Sequence, residues 1–436
     1  MDPSPPRPGE KLRDRYEIKR EIGRGGMAEV HLAFDSYLQR EVAIKFTRLE
    51  LFEDAEIGAR SRKLWLNETR LAGKLQHPHI VQTYESGESD GFAYLVMEYV
   101  DGESLQRHAS AENLLPVERV ADILFKVATA LDYASKLGML HRDIKPANVL
   151  LTRMGSVKLM DFGACYFTNV EDTQVYDVGT LPFMPPEHFE NRPPTVQTDI
   201  YALGVMAYQL LTGLLPFRGE TFQSLIHEKL HSDYVPLETR RKDLPGELRF
   251  VVHRAMQRDM ETRYASWRDF CDELAHALPQ GDRPPEVMYE SARFTSLRAM
   301  PLFSQFTESE LWEVVHLSRW TEMPAGKQIF AAGDPGDRIC VLVSGAVHIS
   351  SEGRVLSAIA PGECFGEIAF LDEAAPRRTA AATASETGVL IEIDTDALRN
   401  ASSALQAAFL KAFVRVMIAR IKHADARFLA ALEVKA

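Results

Sequence analysis

The stretch HRDIKPAN, followed shortly by LMDFGA, concentrates chemically capable side chains between two apolar runs. Asp143 can accept a proton, and Arg142 and Lys145 carry positive charge on either side of it. Asn148 adds an amide, and Asp161 lies thirteen residues further on. A base, two cations and an amide at this spacing predict an active-site loop.

A glycine-rich run, EIGRGGMAEV, places Gly23, Gly25 and Gly26 between two strand-like segments. Glycines let backbone N–H groups approach phosphate oxygens because no Cβ stands in the way. Lys45 follows in VAIK on a predicted strand, and Glu68 lies on a charged helix. Taken singly, the glycine run is as often a plain hairpin turn, and a lone lysine or glutamate is usually a solvated side chain, so only their order along the chain is informative.

The size and charge of the chain limit what it does. Its 436 residues predict about two or three domains. It is 45% hydrophobic and 26% charged, which fits a globular protein. The formal net charge is −12 and there is no basic block, so broad nucleic-acid binding is not expected.

The cysteines and the N-terminal segment indicate the compartment. The four cysteines form no CxxC pair, which is typical of free thiols in a reducing compartment; they are Cys165, Cys271, Cys340 and Cys364. The start MDPSPPRPGEKL has no apolar core and does not resemble a signal peptide. No run approaches the roughly 18 apolar residues of a membrane helix. We therefore expect a cytoplasmic protein without a membrane partner.

The pattern along the chain predicts several regions. Strand-like runs with one charged helix at 58–76 fill residues 16 to about 100, and apolar residues at helical spacing dominate from there to about 277. From about 298, short β-rich segments with glycine turns predict a barrel or roll, and the last 40 or so residues are helical again. The predicted parts are a tail at 1–15, a domain at 16–277, a linker at 278–297, a second domain at 298–400 and a C-terminal helix at 401–436.

The ordered set of motifs in residues 16–277 resembles the eukaryotic-type serine/threonine protein kinases, in a bacterial-like form. The resemblance implies an α+β, two-lobed fold, ATP and Mg²⁺ as cofactors, and a protein substrate. It implies that Asp143 orients or deprotonates the substrate hydroxyl and that Lys145 stabilises the transferring phosphate. Lys45, held by Glu68, would pair with the α- and β-phosphates.

The same resemblance assigns the metal and nucleotide contacts. Asn148 and Asp161 would hold Mg²⁺ through oxygen ligands. Met97 would be the gatekeeper beside the adenine, and the backbone of Glu98 and Val100 would face it. The residues implied for ATP binding are Ile22, Gly23, Gly25, Gly26, Val30, Lys45, Met97, Glu98 and Val100.

The chain departs from the kinase pattern in two places. The third loop glycine is Ala28, a small residue that should preserve binding, and the usual Ala-Pro-Glu is Pro-Pro-Glu ending at Glu187. We expect Glu187 to form the family's buried pair with Arg263. Lys145 together with Thr180, which we expect at the substrate site, favours a serine/threonine specificity.

The segment from Asp161 to Glu187 offers candidate phosphorylation sites. Arg142, beside the catalytic acid, is suited to bind a phosphate on this segment by charge-assisted hydrogen bonds. Thr168 and Thr173 supply the hydroxyls, although both are also ordinary loop residues.

The second domain resembles the cyclic nucleotide-binding family through its GDPGD, SGAV and FGEIAF motifs in order. The resemblance implies a β-roll that binds cAMP or cGMP as an effector. Gly366 opens a short helix, Glu367 matches the ribose acceptor, and Arg378 followed by Thr379 matches the phosphate-binding site. Arg377 is the alternative match for the phosphate-binding arginine, because the loop between the glutamate and the arginine varies in length; we call these two alignments the Arg378 and Arg377 registers.

The C-terminal helix carries apolar residues that pack on the barrel or form a homodimer seam, and we favour packing; they are Leu405, Phe409, Phe413, Val416 and Phe428. The predicted function is a serine/threonine kinase regulated by a cyclic nucleotide. Two alternatives stay open: a ligand-responsive scaffold with a silent kinase fold, and a kinase whose β domain only mediates protein contacts.

Overall fold

The structure is a computed structural model in which the chain divides into two compact units, Met1–Pro279 and Gln280–Ala436. Within helices and strands, the side chains of some residues, including Glu68, Thr180 and those beyond 422, lie outside the description. The described residues are 5–25, 28–53, 58–70, 73–153, 155–162, 166–167, 178–190, 192–277, 284–285, 288–371 and 377–433.

The first unit begins with an antiparallel sheet in the order β1-β2-β3-β4-β6-β5. Its strands are β1 Lys11–Leu12, β2 Tyr16–Arg24, β3 Ala28–Asp35, β4 Arg40–Arg48, β5 Thr83–Ser89 and β6 Phe92–Glu98. Helix α1, Gly58–Arg70, lies between β4 and β5 in the chain. It ends before the predicted residue 76, and Gly73 lies beyond it at φ +73°, a backbone conformation that ends helices. Strands β2, β3, β4 and β6 confirm the strand-like runs predicted within residues 16 to about 100.

Alternation along β4 gives the sheet two faces with different uses. Val42, Ile44 and Phe46 are buried in the core of the lobe. Lys45 points to the opposite face, where it pairs across the ladder with Val30 on β3. A single strand therefore anchors the sheet and presents the lysine.

Helices dominate the remainder of the unit. The elements are β7 Gly102–Ser104, α2 Val117–Lys136, β8 Met139–Leu140, β9 Val149–Thr152, β10 Val157–Leu159, β11 Tyr166–Phe167, α3 Pro186–Phe189, α4 Val196–Thr212, α5 Phe222–His231, α6 Leu237–Arg240, α7 Gly246–Ala255 and α8 Trp267–Ala277. Helices α2, α4 and α8 confirm the prediction, from apolar residues at helical spacing, that helices dominate up to about residue 277.

Helix α4 is the centre of this helical part. A capping box between Thr195 and Thr198 satisfies its first amides, and Gly213 at φ +73° ends it. Its residues from Thr198 onward are buried on every side, as expected of a helix surrounded by others. A polar residue on this helix must therefore find its partners inside the protein.

The predicted pair of Glu187 and Arg263 is confirmed. The guanidinium donates to both carboxylate oxygens, at 2.7 and 2.9 Å, and both side chains are buried. Arg263 also donates to the backbone carbonyls of Gln197, Gln257 and Arg258. The proline in place of alanine before Pro186 leaves this link between α3 and the last helices intact.

The second unit is a roll of two four-stranded antiparallel sheets, ordered β12-β19-β14-β17 and β13-β18-β15-β16. Its strands are β12 Ser318–Met323, β13 Gln328–Phe330, β14 Arg338–Ser344, β15 Val347–Ser351, β16 Arg354–Ile359, β17 Cys364–Phe365, β18 Ala381–Ala384 and β19 Gly388–Asp394. Its helices are α9 Glu290–Ala299, α10 Glu308–Leu317, α11 Ile368–Leu371, α12 Thr395–Arg399 and α13 Ser403–Glu433. This confirms the predicted β-roll with a C-terminal helix.

Part of the stretch predicted as a linker, residues 290–297, is helical. Phe294 on α9 is buried and stacks on Trp312 of α10 with ring centroids 4.5 Å apart. In the sequence, the polar residues and the two adjacent prolines of this stretch indicated a linker, and they gave no sign of the apolar contact.

The C-terminal helix α13 has two apolar faces. Leu405, Phe409 and Phe413 are buried, as the packing hypothesis expects, and Val416 is half-buried. A separate group is exposed and keeps the homodimer seam as a prediction; it comprises Leu410, Val414, Ile418 and Ile421. The side chain of Phe428 lies outside the described residues. No helix in the described part of the chain is both long and apolar enough to cross a bilayer.

Candidate functional site

A buried carboxylate positions the loop that follows β8. Asp199, in the first turn of α4, accepts the backbone N–H of His141 at 2.8 Å and that of Arg142 at 2.9 Å. Arg142 has φ +64°, in the left-handed region that residues other than glycine rarely adopt. Burial raises the pKa of Asp199 above its usual range. Sequence analysis missed this residue, although an acid at the start of the apolar run DIYALG was a usable signal.

The loop brings the predicted catalytic side chains together. Lys145 Nζ lies 2.9 Å from Asp143 Oδ1. The amide nitrogen of Asn148 donates to Asp143 Oδ2 at 2.9 Å and to its backbone carbonyl at 2.8 Å. Both carboxylate oxygens of Asp143 are thus oriented, and the oxygen of Asn148 is the atom that this arrangement leaves for a metal ion.

The lysine of the sheet reaches the acid of the LMDFGA run. Lys45 Nζ lies 3.2 Å from Asp161 Oδ1. Asp161 has φ +69°, and the next residue, Phe162, is buried with its ring centroid 4.6 Å from that of His141. Residues from three distant parts of the sequence therefore meet at one place.

Gly23 and Gly25, the described glycines where β2 leads into β3, are not required by the conformation of their own backbone. A Cβ added at Gly23 would meet only Val30 Cβ at 3.8 Å, and one at Gly25 would meet only the carbonyl oxygen of Ala28 at 3.7 Å. Neither glycine has a positive φ. Open space for close approach, which a phosphate would use, is the remaining reason for glycine here. Gly26 lies outside the described residues.

The end of β6 and the residues just after it contain the predicted adenine contacts. Met97 and Val100 are half-buried. The N–H of Glu98 donates to the carbonyl of Gln82 at 2.8 Å, so the backbone carbonyl is its candidate contact for adenine. The carboxylate of Glu98 binds Lys158 at 2.7 Å and ties this segment to β10.

Other predicted residues cannot be placed in full. Thr168 and Thr173 lie outside the described residues, as do the side chains of Glu68 and Thr180. A second basic side chain, not anticipated from the sequence, lies near enough to Arg142 to be affected by its charge. The pKa of Lys63 on α1 is lowered by burial and then by the positive charge of Arg142.

A second cluster lies in the roll, beside the FGEIAF run. Gly366 has φ +81°, and a Cβ there would come within 2.5 Å of Arg378 Nη1. Arg378 is buried and donates to the carbonyls of Gly366 at 2.9 Å and Arg338 at 2.7 Å. Its guanidinium lies 4.2 Å from the ring centroid of Phe330. Burial lowers the pKa of Arg378.

The two neighbouring arginines have different environments. Arg377 is exposed and donates to the carbonyl of Gly333 at 2.8 Å. Arg378 lies inward, next to Gly366, and Thr379 after it is exposed. The geometry therefore favours the Arg378 register for an inward-facing cation.

Sequence analysis also missed a partner of Glu367. This carboxylate is 1% exposed, and its Oε1 lies 2.5 Å from Arg420 Nη1 on α13. The same guanidinium donates to the carbonyl of Cys364. The other oxygen, Oε2, is buried and has no hydrogen-bond partner among the residues that the structure describes. A separation of 53 residues, a long way along the chain, hid this contact from motif analysis.

Comparisons with known proteins agree with these two clusters. The family described as protein kinase domain matches residues 16–276, and the family described as cyclic nucleotide-binding domain matches 320–404. Serine/threonine-protein kinase PknB of Mycolicibacterium smegmatis is 34% identical over 300 residues, which cover 66% of this chain and 47% of that protein. Serine/threonine-protein kinase PrkC of Bacillus subtilis is 36% identical over 263 residues, covering 60% of this chain and 40% of its own length. The chain thus spans less than half of these relatives.

Proposed function

Because this chain belongs to the protein kinase family, we propose that it transfers the γ-phosphate of ATP to serine or threonine hydroxyls of a protein substrate. The observation that carries the proposal is that three separate segments meet: Lys45 contacts Asp161, and Phe162 packs on His141 in the loop that contains Asp143. Phosphoryl transfer depends mainly on positioning and on charge neutralisation, which such a cluster provides.

The roles of the individual side chains follow from their contacts. Asp143, oriented by Lys145 and Asn148, would accept the hydrogen bond of the substrate hydroxyl and then its proton. Lys145 would neutralise charge on the transferring group, and Lys45 would bind the phosphates nearer the ribose. Asn148 and Asp161 present the hard oxygen donors that Mg²⁺ prefers, and the bound ion would neutralise phosphate charge.

Catalytic variants test this assignment. We expect Asp143→Asn and Lys45→Ala each to reduce phosphoryl transfer from MgATP to myelin basic protein by roughly 10²–10⁴-fold, because each removes a charge used in the transition state. Radiolabelled phosphate incorporation measures the rate, and circular dichroism checks the fold.

Two exposed residues of the same unit provide matched controls. Asp243→Asn and Lys74→Ala should transfer phosphate at the wild-type rate, since Asp243 contacts only Arg241 among the described residues and Lys74 is exposed. Wild-type turnover in Asp143→Asn would contradict the kinase assignment. A wild-type protein that binds nucleotide without transferring phosphate would favour the silent scaffold.

We further propose that phosphorylation of the segment before Glu187 activates the enzyme. Arg142 and Lys63 bring two positive charges close enough to affect each other, and a phosphate would relieve their repulsion. Autophosphorylation in MgATP should place phosphate on Thr168 or Thr173, detected by mass spectrometry of tryptic peptides. Phosphate confined to residues 1–15 or 278–289 would argue against this proposal.

For the second unit we propose binding of a cyclic nucleotide. Arg378 would take the cyclic phosphate, with Gly366 keeping the space beside it open and Thr379 at its edge. Glu367 would accept the ribose 2′-hydroxyl. The helix α11 has only four residues, so the arginine must supply most of the positive charge.

The contact of Glu367 with Arg420 gives this binding a structural consequence. A sugar hydroxyl at Oε1 would share or displace the guanidinium, which belongs to α13, and one at Oε2 would compete with that guanidinium for the charge of the same carboxylate. Ligand binding would thereby alter the hold on the C-terminal helix. Both units are on one chain, so a contact between them has a high effective concentration, and we propose that the ligand shifts kinase activity, with release of inhibition as the expected sign.

The adjacent arginines supply a matched pair of variants. We expect Arg378→Ala to abolish the response of phosphoryl transfer to cAMP and cGMP and to weaken their binding by at least about tenfold. Arg377→Ala should retain both, because its side chain is exposed. Calorimetric titration measures binding, and phosphate incorporation with and without each nucleotide measures the response.

Three results would count against regulation. Loss of binding in Arg377→Ala alone would assign the phosphate contact to the other register. Tight binding with unchanged kinase rates and ATP affinity would mean two independent units. Binding of neither nucleotide would favour a role for the roll in protein contacts only.

A further inference from the structure

Helix α5 carries a lysine that is fully enclosed by protein. Lys229 is 0% exposed, and in the described residues no carboxylate lies within ion-pair distance of it. Its Nζ donates to the carbonyl of Pro182 at 2.7 Å and to that of Met184 at 2.8 Å. The aromatic rings of Tyr201 and Phe217 also lie near the ammonium group, each with its centroid 5.4 Å from Nζ.

The carbonyls that Lys229 binds belong to the run LPFMPP, which leads into Glu187. The run contains three prolines, each without an N–H, so it cannot satisfy its own backbone through a regular ladder. Phe183 and Met184 within it are buried. Thr180, which the kinase resemblance puts at the substrate site, immediately precedes this run.

Stability alone does not explain a lysine at this position. Burying an ammonium group without a carboxylate partner is unfavourable, and an apolar side chain of similar length would avoid that cost. What an apolar side chain lacks is the pair of donors to Pro182 and Met184. The lysine therefore serves the geometry of the run that it binds.

We propose that Lys229 is a positioning residue that fixes residues 181–184 for the protein substrate, so that substrate affinity depends on the charge of this lysine. The inference rests on the proposed kinase function and adds to it a determinant of protein-substrate binding. Lys229 contacts neither the loop around Asp143 nor Lys45 among the described residues, so ATP binding should not depend on it.

Burial makes the charge of Lys229 sensitive to pH near neutrality. Loss of hydration lowers the pKa of Lys229 from 10.5 to about 7, and the negative charge of Glu187 opposes this only partly. Below about pH 7 the ammonium group donates charge-assisted hydrogen bonds, and above it the neutral amine donates weaker ones. The hold on residues 181–184 therefore weakens as pH rises.

Other titratable groups surround this lysine. Arg263, which pairs with Glu187, lies over the ring of Tyr201, and that ring also contacts Lys229. Arg258 donates to the backbone carbonyl of Lys229. Burial lowers the pKa of His188 to about 4, so this side chain is neutral in the relevant range. His227 and His231 on the same helix are exposed. Tyr234 packs against Phe217, and burial raises the pKa of Tyr234.

The experiment measures KM for myelin basic protein and for ATP between pH 6 and 8.5 in wild type, Lys229→Met and Lys229→Gln. In wild type, KM for the protein substrate should rise about tenfold with a midpoint near pH 7. Lys229→Met should have the high KM at every pH, and Lys229→Gln, a neutral donor, should also be independent of pH. KM for ATP should stay within about twofold, and the exposed Lys242→Met is the matched control that keeps the wild-type profile.

A second readout needs no catalysis. Between about pH 7 and 10.5 the unfolded chain binds a proton at this lysine that the folded chain lacks, so stability should rise with pH in that window and this dependence should end below it. Urea unfolding of wild type should show the equilibrium constant for unfolding falling by up to about tenfold per pH unit relative to Lys229→Gln.

The outcomes separate the inference from the proposed function. A Lys229→Met protein with the wild-type KM and pH profile would overturn the inference. Equal losses of kcat and of ATP affinity at every pH would also overturn it, because they indicate a general structural defect. If Lys229→Met does not fold, Lys229→Gln and the wild-type unfolding series decide the matter. Absence of phosphoryl transfer in wild type would instead reject the kinase function.

Discussion

The catalytic loop depends on one buried carboxylate. Asp199 lies inside the protein at the beginning of α4 and accepts the amides of His141 and Arg142. The N-terminal end of that helix and these two hydrogen bonds favour its negative charge and offset part of the cost of burial, which still raises the pKa of Asp199. The left-handed backbone at Arg142, and with it the placement of Asp143, follows from this anchor. The loop that contains Asp143 is thus anchored to a helix that is itself buried from Thr198 onward.

A similar principle recurs in both units: a buried charge is held by backbone carbonyls or amides and shapes a nearby segment. Lys229 holds the carbonyls of Pro182 and Met184. Arg378 holds those of Gly366 and Arg338. Because the partners are backbone groups, these hydrogen bonds do not depend on the identity of the neighbouring side chains. The segment loses part of its support when the charge is neutralised or when a ligand binds the charged group. We infer that substrate binding and nucleotide binding both make use of this.

The sequence predicted what depends on local order. The strands of the first lobe, helices α2, α4 and α8 and the roll are confirmed, because periodicity and closely spaced motifs carry them. The pair of Glu187 with Arg263, 76 residues apart, is also confirmed, and it was expected from the family resemblance and not from local order. Asp199, Lys229 and Arg420 were missed, since each acts on residues more than 40 positions away. Their partners are backbone groups or an acid already assigned to another role, and only Asp199, at the start of an apolar run, left a signal in the sequence. Helix α9 was missed because it is recognised mainly by its apolar contact with α10. That contact forms only in the folded unit and cannot be seen in the sequence.

Hydrogen exchange in an Asp199→Asn variant tests the dependence of the loop on its anchor most directly. Asparagine has one acceptor oxygen in place of two, so at least one of the two amides loses its partner. In the peptide covering residues 139–148, we expect exchange at His141 and Arg142 to accelerate about tenfold, while amides of α7 exchange as in wild type. Phosphoryl transfer to myelin basic protein should fall in parallel, with Asp243→Asn unchanged in both respects. Exchange at His141 and Arg142 that stays at the wild-type rate in Asp199→Asn would contradict the account.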